Sequence, residues 1–279
     1  MLILGLFAVV FHFSENFQPA PSLAEDEILV SFIDVGQGDS ILIRSRNNAV
    51  LIDGGEYAAR QTVINEIRSA DIEKLDYIVA THPHSDHIGG LPAVIQNFDV
   101  SQVLISRALN NTATFENLLN AIEENDIPMT VPSMGERYTA GIIELLVLGP
   151  VEHSRSIPYD NINNDSIVIK LIHGQTAFLF TGDAERDSER DIINDEKNLR
   201  AQVLKIGHHG SRTASSSGFL EAVNPQAAVI SLGLNNTYGH PHPETLAALE
   251  GRGIPYILRT DELGTVSIIT NGQQIKYLP

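Results

Sequence analysis

Apolar residues in this chain come in short runs separated by glycine, proline and acidic turns, a rhythm of strands rather than of long helices. Ile28 to Val35 predicts a strand, Gly36-Gln37-Gly38-Asp39 a tight turn, and Ser40 to Arg44 and Ala49 to Ile52 two more strands, so the chain opens as a β-meander. Arg60 to Ala70 places Val63, Ile64 and Ile67 at helical spacing. Strands and helices then alternate. Strands are predicted at Leu75 to Ala80, Val103 to Ser106 and Ile142 to Leu148, helices at Ile88 to Phe98 and Thr114 to Asn125, and a polar loop at Ser154 to Asn164. The second half has strands at Ser166 to Ile172 and Thr176 to Thr181 around a His173-Gly174-Gln175 turn. Further strands follow at Gln202 to Ile206, Ala227 to Ser231, Ile257 to Thr260, Val266 to Thr270 and Gln274 to Tyr277. Helices fall at Glu185 to Asn194, Ser216 to Val223 and Pro243 to Gly251. Sheets with helices between them predict an α/β sandwich, two sheets face to face beneath outer helices.

The first residues break this rhythm. Met1 to Phe13 is nearly all apolar, a polar stretch with Pro19 and Pro21 follows, and Ser22-Leu23-Ala24 resembles a cleavage site of small residues. Residues 1–26 are therefore expected to be a leader (signal peptide or short anchor) with a linker, and residues 27–279 one domain. An extracytoplasmic location, secreted or attached to a membrane through the leader, is the matching expectation.

Composition narrows the chemistry. With no cysteine, disulfides and thiolate metal sites are excluded, which leaves His, Asp, Glu and Asn as ligands. A formal net charge of −17 disfavours a broad nucleic-acid-binding surface. It does not exclude a phosphodiester substrate, because two divalent ions would reverse the charge locally.

Four potential ligands lie together in Thr81-His82-Pro83-His84-Ser85-Asp86-His87, directly after the apolar Tyr77-Ile78-Val79-Ala80. In an extended chain His82 and His84 point to the same side, while Asp86 and His87 reach a neighbouring position. Imidazole with carboxylate suits zinc and related ions, and the spacing suggests two of them. Other apolar strands end in similar fashion. Leu51-Ile52-Asp53-Gly54-Gly55 offers Asp53 to orient a ligand histidine. Phe178 to Asp183 offers Asp183 as a carboxylate shared by two metals, or as a helix cap. Val203 to Ser211 ends in His208-His209, one to complete a metal set and the other to contact substrate, with Gly210-Ser211 exposing N–H groups to an anion. Tyr238-Gly239-His240-Pro241-His242-Pro243 adds His240 as an acid or phosphate ligand, with His242 the weaker alternative. His12, His153 and His173 are read as structural or solvent-exposed.

In this order, D-G-G, H-x-H-x-D-H, G-D and a late His, the chain resembles the metallo-β-lactamase-fold hydrolase superfamily. More narrowly, F-I-D-V-G-Q-G-D-S, A-T-H-P-H-S-D-H-I-G-G, L-F-T-G-D, L-K-I-G-H-H-G-S and Y-G-H-P-H-P-E resemble the C-terminal hydrolase domain of ComEC-type DNA-uptake proteins, over about Ile28 to Pro279. The resemblance implies a four-layer αββα sandwich of metallo-β-lactamase type and two divalent ions, Zn2+ or Mn2+. His82 and His84 would bind the first, Asp86, His87 and His208 the second, and Asp183 both. Many members carry a third histidine on the first metal; this chain has Asn163-Asn164-Asp165-Ser166 there, and Asn164 or Asp165 could fill the place through oxygen. ComEC-type proteins carry a multi-helix membrane channel before this domain, and nothing in this sequence resembles one. The expected activity is phosphodiester hydrolysis, nuclease-like, with single-stranded DNA bound weakly at most. Asp86, His209 and His240 are the candidate catalytic residues. Hydrolysis of a small ester (an envelope choline phosphodiester, a lactam or a lactone) is the alternative, and a non-catalytic metal-stabilised binding module is the alternative of another class.

Overall fold

Two mixed sheets lie face to face. In the computed structural model, residues 21–151, 161–195 and 198–279 are described. The leader up to residue 20, His153 and most of the Ser154 to Asn164 loop lie outside the described residues. The eight-stranded sheet runs, in spatial order, Ile275–Leu278, Val266–Thr270, Ile28–Phe32, Ile41–Arg44, Ala49–Ile52, Tyr77–Ala80, Val103–Ile105 and Met129–Thr130. It is antiparallel as far as Ala49–Ile52 and parallel beyond. The seven-stranded sheet runs Tyr256–Arg259, Ala227–Ile230, Val203–Lys205, Thr176–Phe180, Val168–His173, Ile143–Gly149 and Arg137–Ala140, parallel over its first four strands. No helix among the described residues is long and apolar enough to cross a membrane.

The strands read as continuous apolar runs because both faces of each sheet are covered. Side chains alternate between two cores. Val50 and Ile52 join Phe32, Ile43, Leu145, Phe178 and Phe180 between the sheets. Ala49 and Leu51 join Val63, Ile67, Leu118 and Ile122 under the helices Arg60–Ser69 and Ala113–Glu124. A third core lies outside the second sheet, where Leu179, Leu204 and Ile230 meet Phe219, Leu220 and Leu249 of the helices Ser217–Val223 and Pro243–Gly251. Three apolar interfaces between four layers make this the expected αββα sandwich.

Two sequence expectations are corrected. The helix expected over Ile88 to Phe98 is two short ones, Ser85–Ile88 and Leu91–Ile95, split at Gly89-Gly90. The break has a packing cause. Gly54 N donates to His87 O (2.6 Å), Gly90 N donates to Gly55 O (2.9 Å), and a Cβ on Gly90 would collide with the Gly54 carbonyl. The glycine pair lets the Asp53 turn dock on the histidine segment. The strand Arg137–Ala140 escaped prediction because it is a mostly uncovered edge without apolar alternation, paired to Ile143–Gly149 through Gly141 at positive φ.

The parallel strands fix where chemistry can occur. Those of both sheets end at one edge of the sandwich, and the loops leaving them carry Asp53, His82, Asp183 and His208-His209. Asp39 reaches the same edge from the other direction, because Ile41 pairs with Ile52 in the antiparallel register. Ligands gather at the carboxyl ends of parallel strands in α/β sheets for this topological reason.

Candidate metal centre

Two groups of donors share one carboxylate. Asp86, His87, Asp183 and His209 offer ligand atoms that all lie within 4.8 Å of one another, and so do His82, His84 and Asp183. Asp183 Oδ1 faces the first group, 3.3 Å from His87 Nε2 and 3.5 Å from His209 Nε2. Asp183 Oδ2 faces the second, 3.7 Å from His82 Nε2, which in turn is 3.0 Å from His84 Nδ1. Asp86 Oδ2 closes the first group at 3.2 Å from His209 Nε2.

The donors fit a metal on the structure's own terms. His87 Nε2, His209 Nε2 and Asp183 Oδ1 are buried and have no hydrogen-bond partner, although buried polar atoms nearly always find one. Three such atoms converging from three loops are what a cation requires. The far nitrogen of each ring is anchored: His87 Nδ1 donates to Asp53 Oδ2 (2.8 Å), and His209 Nδ1 donates to Ser231 O (2.9 Å). Such outer contacts set the tautomer and aim the other nitrogen inward.

Charge tells the same story. Burial alone would raise the Asp183 carboxyl, but His209, His87 and His82 together hold it well below the usual range. Burial opposes protonation of His87, yet Asp183, Asp86 and Asp53 hold it well above 6.5. His209 is likewise pushed up to about 10 against its burial by Asp183 and Asp39. Two imidazolium protons thus balance the carboxylates, and an ion would take their place, so metal affinity should climb with pH. His82, by contrast, is driven well below 6.5 by burial and by the neighbouring His87, which leaves it neutral and ready to ligate.

A third acidic group, Asp39, Asp53 and His87, is fully buried and, apart from Asp39 Oδ1 and the His87 Nε2 that faces Asp183, occupied by protein partners. Asp53 Oδ1 accepts from Thr81 N (2.8 Å), and Oδ2 from Thr81 Oγ1 (2.6 Å) and His87. Asp39 Oδ2 is paired with the buried Lys205 ammonium, whose Nζ also donates to Gly182 O (3.1 Å). These residues hold ligands in place. Asp53→Ala should weaken the Asp86/His87/His209 site by about 10- to 100-fold in metal affinity, read by isothermal titration with Mn2+; an unchanged affinity would refute the orienting role.

The paired histidines stand the other way round from the sequence expectation, which put His208 beside Asp86 and His87 and left His209 to contact substrate. Instead His209 stands in that group, and His208 Nε2 faces the opposite oxygen, 3.8 Å from Asp183 Oδ2. The cause is backbone conformation: both residues take left-handed φ,ψ values (49°, 48° and 53°, 25°), which throws their rings to opposite sides of Asp183. Within the Gly210-Ser211 turn, Ser211 already has partners: its N–H donates to His208 O (2.8 Å) and its Oγ meets Thr213 Oγ1 (2.9 Å).

Asn164 and Asp165 do not reach the donors either. Asn164 Oδ1 accepts from Glu185 N (3.0 Å) and Ser188 N (3.2 Å), capping the helix Arg186–Asp195. Asp165 Oδ1 accepts from Arg107 Nε (2.7 Å), and Ser106 Oγ donates to Asp165 O (2.7 Å). Asn164→Ala should therefore lower stability by about 1 kcal/mol and leave metal affinity unchanged. Urea denaturation and Mn2+ titration on one sample check both, and a lost metal would overturn the cap assignment.

At the rim, His240 is fixed through its backbone: its N–H donates to Asn236 Oδ1 (3.0 Å) and its carbonyl accepts from Asn236 Nδ2 (2.7 Å). Burial, then the charges of His208 and His209, bring its imidazole down to about 4. His242 precedes the helix Pro243–Gly251 and accepts from Arg212 N through Nδ1 (3.1 Å), so it fixes the Arg212 loop. A cavity of about 270 Å³ opens over the donors, lined among others by Gln37, His84, Asp86, His208, Tyr238 and His240.

Asp39, Lys205, Thr81 and Glu185 were missed by sequence reasoning. A lone lysine inside Val203-Leu204-Lys205-Ile206 was the available signal, because a charge in a buried strand demands a buried partner.

The sequence profile of the metallo-beta-lactamase superfamily matches residues 33–233. The chain is 32% identical over 249 residues to competence protein ComA of Neisseria gonorrhoeae, covering 88% of this chain and 33% of that protein. It is 30% identical over 255 residues to ComE operon protein 3 of Bacillus subtilis, covering 85% of this chain and 32% of that protein. The chain thus spans about a third of the length of these relatives. Among solved structures, the metallo-beta-lactamase fold protein YhfI of Bacillus subtilis covers 88% of this chain and 100% of its own, with a TM-score of 0.57 at 12% identity.

Proposed function

The chain belongs to the metallo-beta-lactamase superfamily, and from that premise we propose that it is a binuclear metal-dependent hydrolase of phosphodiesters, nuclease-like in its chemistry. The carrying observation is the division of Asp183 between two donor groups, one on each carboxylate oxygen. A shared carboxylate sets two ions side by side, the arrangement used in many phosphatases and nucleases. Bound there, the ions would supply a nucleophilic water near neutral pH and neutralise charge growing on a phosphate oxygen.

The chain's own residues do the rest. His82, His84 and Asp183 would hold one ion, and Asp86, His87, Asp183 and His209 the other. His240, brought down to about 4, is neutral at pH 7, and two nearby cations would keep it so. It therefore serves as a hydrogen-bond donor to substrate rather than as the acid that protonates the leaving group. Tyr238, whose ring stacks on His240 at 5.7 Å, closes the rim where a base or ester group would rest. Attachment to the outer face of a membrane through residues 1–26, and a role in competence, the word in one relative's name, belong to the same proposal.

The test is turnover of bis-p-nitrophenyl phosphate and of single-stranded DNA with Mn2+, Zn2+ or Co2+, lost in His82→Ala. No turnover with any of the three would overturn it, and a metal-induced rise in melting temperature without turnover would point to a binding module. One observation favours a second reading. A net charge of −17 repels a polyanion, so a small envelope phosphodiester, a lactam or a lactone is the alternative substrate; cleavage of choline phosphodiesters but not DNA would select it.

A further inference from the structure

The first metal site has two histidines from the H-x-H motif and one carboxylate oxygen, and Asn164 Oδ1 and Asp165 Oδ1 are engaged elsewhere. We infer that His208 is the missing ligand: the Gly207-His208-His209-Gly210 turn feeds both metals, His209 on one side of Asp183 and His208 on the other. The inference rests on the two-metal reading above and concerns which residues complete it.

Three observations carry it. The first is distance. His208 Nε2 lies 3.8 Å from Asp183 Oδ2, and His82 Nε2 lies 3.7 Å from the same oxygen. Donors around one ion at bond lengths near 2.1 Å stand roughly 3 to 4 Å apart, so both rings stand at ligand spacing from that one oxygen, His208 reaching it from outside the tighter His82, His84 and Asp183 group.

The second is the pattern of anchoring. His82, His87 and His209 each present Nε2 to the centre and each has its Nδ1 against a fixed oxygen, of Thr81, Asp53 and Ser231 respectively. His208 follows the same rule, with its Nδ1 on Glu185 Oε1 at 2.9 Å. A surface histidine has no need of this carboxylate clamp, whereas a ligating one is aimed by it. Glu185 is itself fixed, accepting from Thr213 Oγ1 (2.9 Å), Asn163 Nδ2 (3.3 Å) and Asn161 Nδ2 (3.0 Å).

The third is where those asparagines lie. Asn163 opens the very stretch that lacks the usual histidine, and Asn161 lies two residues before it. They grip Glu185, and Glu185 grips His208. The segment that would have donated a ligand directly instead supports the residue that aims one from a different strand end. The left-handed backbone at both histidines, unfavourable for non-glycine residues, is then explained by the need to splay a pair of adjacent rings around one carboxylate.

The experiment is metal binding, not turnover. The full chain and its variants His208→Ala, Glu185→Gln, His84→Ala and His209→Ala would be titrated with Mn2+ alone, with stoichiometry by elemental analysis after gel filtration and pairing of the ions by electron paramagnetic resonance. Two ions per wild-type chain are expected. His208→Ala should match His84→Ala: one ion retained, roughly 100-fold or more lost at the other site, and the spin-coupled signal gone. Glu185→Gln, which keeps the imidazole, should weaken that same site by about 10- to 100-fold, so the inference does not depend on one variant folding. Two ions still bound and coupled at unchanged affinity in both His208→Ala and Glu185→Gln would overturn it while leaving the hydrolase reading intact. Failure of the wild-type chain to bind any ion would overturn both.

Discussion

Asp183→Asn is expected to abolish metal-dependent turnover, lowering kcat/KM on the order of 10³-fold, about 4 kcal/mol of transition-state stabilisation. Among the described residues, Asp183 is the one member common to both donor groups. Its Oδ1 lies between His87 and His209, and its Oδ2 faces His82 and His208. An amide can offer one oxygen to one ion, so the substitution removes the shared charge as well as one ligand atom. The effect should divide cleanly from that of a peripheral ligand. His84→Ala is expected to weaken one ion, Asp183→Asn both. Mn2+ titration alongside turnover of bis-p-nitrophenyl phosphate reads this directly, and circular dichroism shows that the sandwich persists. Its fold should survive, because Asp183 is held through its backbone, N–H donating to Ser166 Oγ at 3.1 Å, and that contact does not depend on the carboxylate. Two tightly bound ions in Asp183→Asn would remove the basis of the two-metal proposal.

The position of Asp183 was legible because strand tips can be read from sequence. An apolar run that stops at a glycine or a polar residue marks where a buried strand leaves the core, and Asp53, His82, Asp183 and His208 each stand just at or past such a stop. The sandwich was legible for a related reason: strands covered on both faces have almost no polar interior positions. What sequence could not decide turned on geometry of a finer grain. Whether His208 or His209 joins Asp86 depends on two left-handed residues in succession, which local propensity does not favour. Whether Asn164 ligates or caps depends on where the helix Arg186–Asp195 begins in space. The break at Gly89-Gly90 reflects a close approach to Gly54 that only tertiary packing creates. In each case the residue type allowed two outcomes, and a contact distant in sequence chose between them.

Lys205→Met should be the most destabilising change that touches no metal donor, costing about 3 to 5 kcal/mol and lowering Tm by roughly 10 °C. Lys205 sits in the strand Val203–Lys205 with no exposed surface, its ammonium paired to Asp39, itself 1% exposed. Truncating the amine leaves a carboxylate in the core whose remaining partners are His209, 3.5 Å from Oδ1, and His87, 3.7 Å from Oδ2. Burial favours the neutral acid, and Lys205 is the foremost of the charges that keep Asp39 below its usual range. Without it the acid form becomes accessible at higher pH, so the stability Asp39 contributes when ionised is lost earlier as pH falls. The destabilisation should thus deepen toward acid. A double-mutant cycle isolates the pair. Asp39→Asn in the Lys205→Met background should recover some of the loss, since replacing both partners removes the uncompensated charge, and the coupling should exceed about 1 kcal/mol. The centre feels the same change through the Asp39 contact with His209, so metal affinity at the Asp86/His87/His209 site should fall in Lys205→Met. Additive single substitutions, with coupling near zero, would show that the ammonium and the carboxylate are held independently and that His209 is oriented by Ser231 alone.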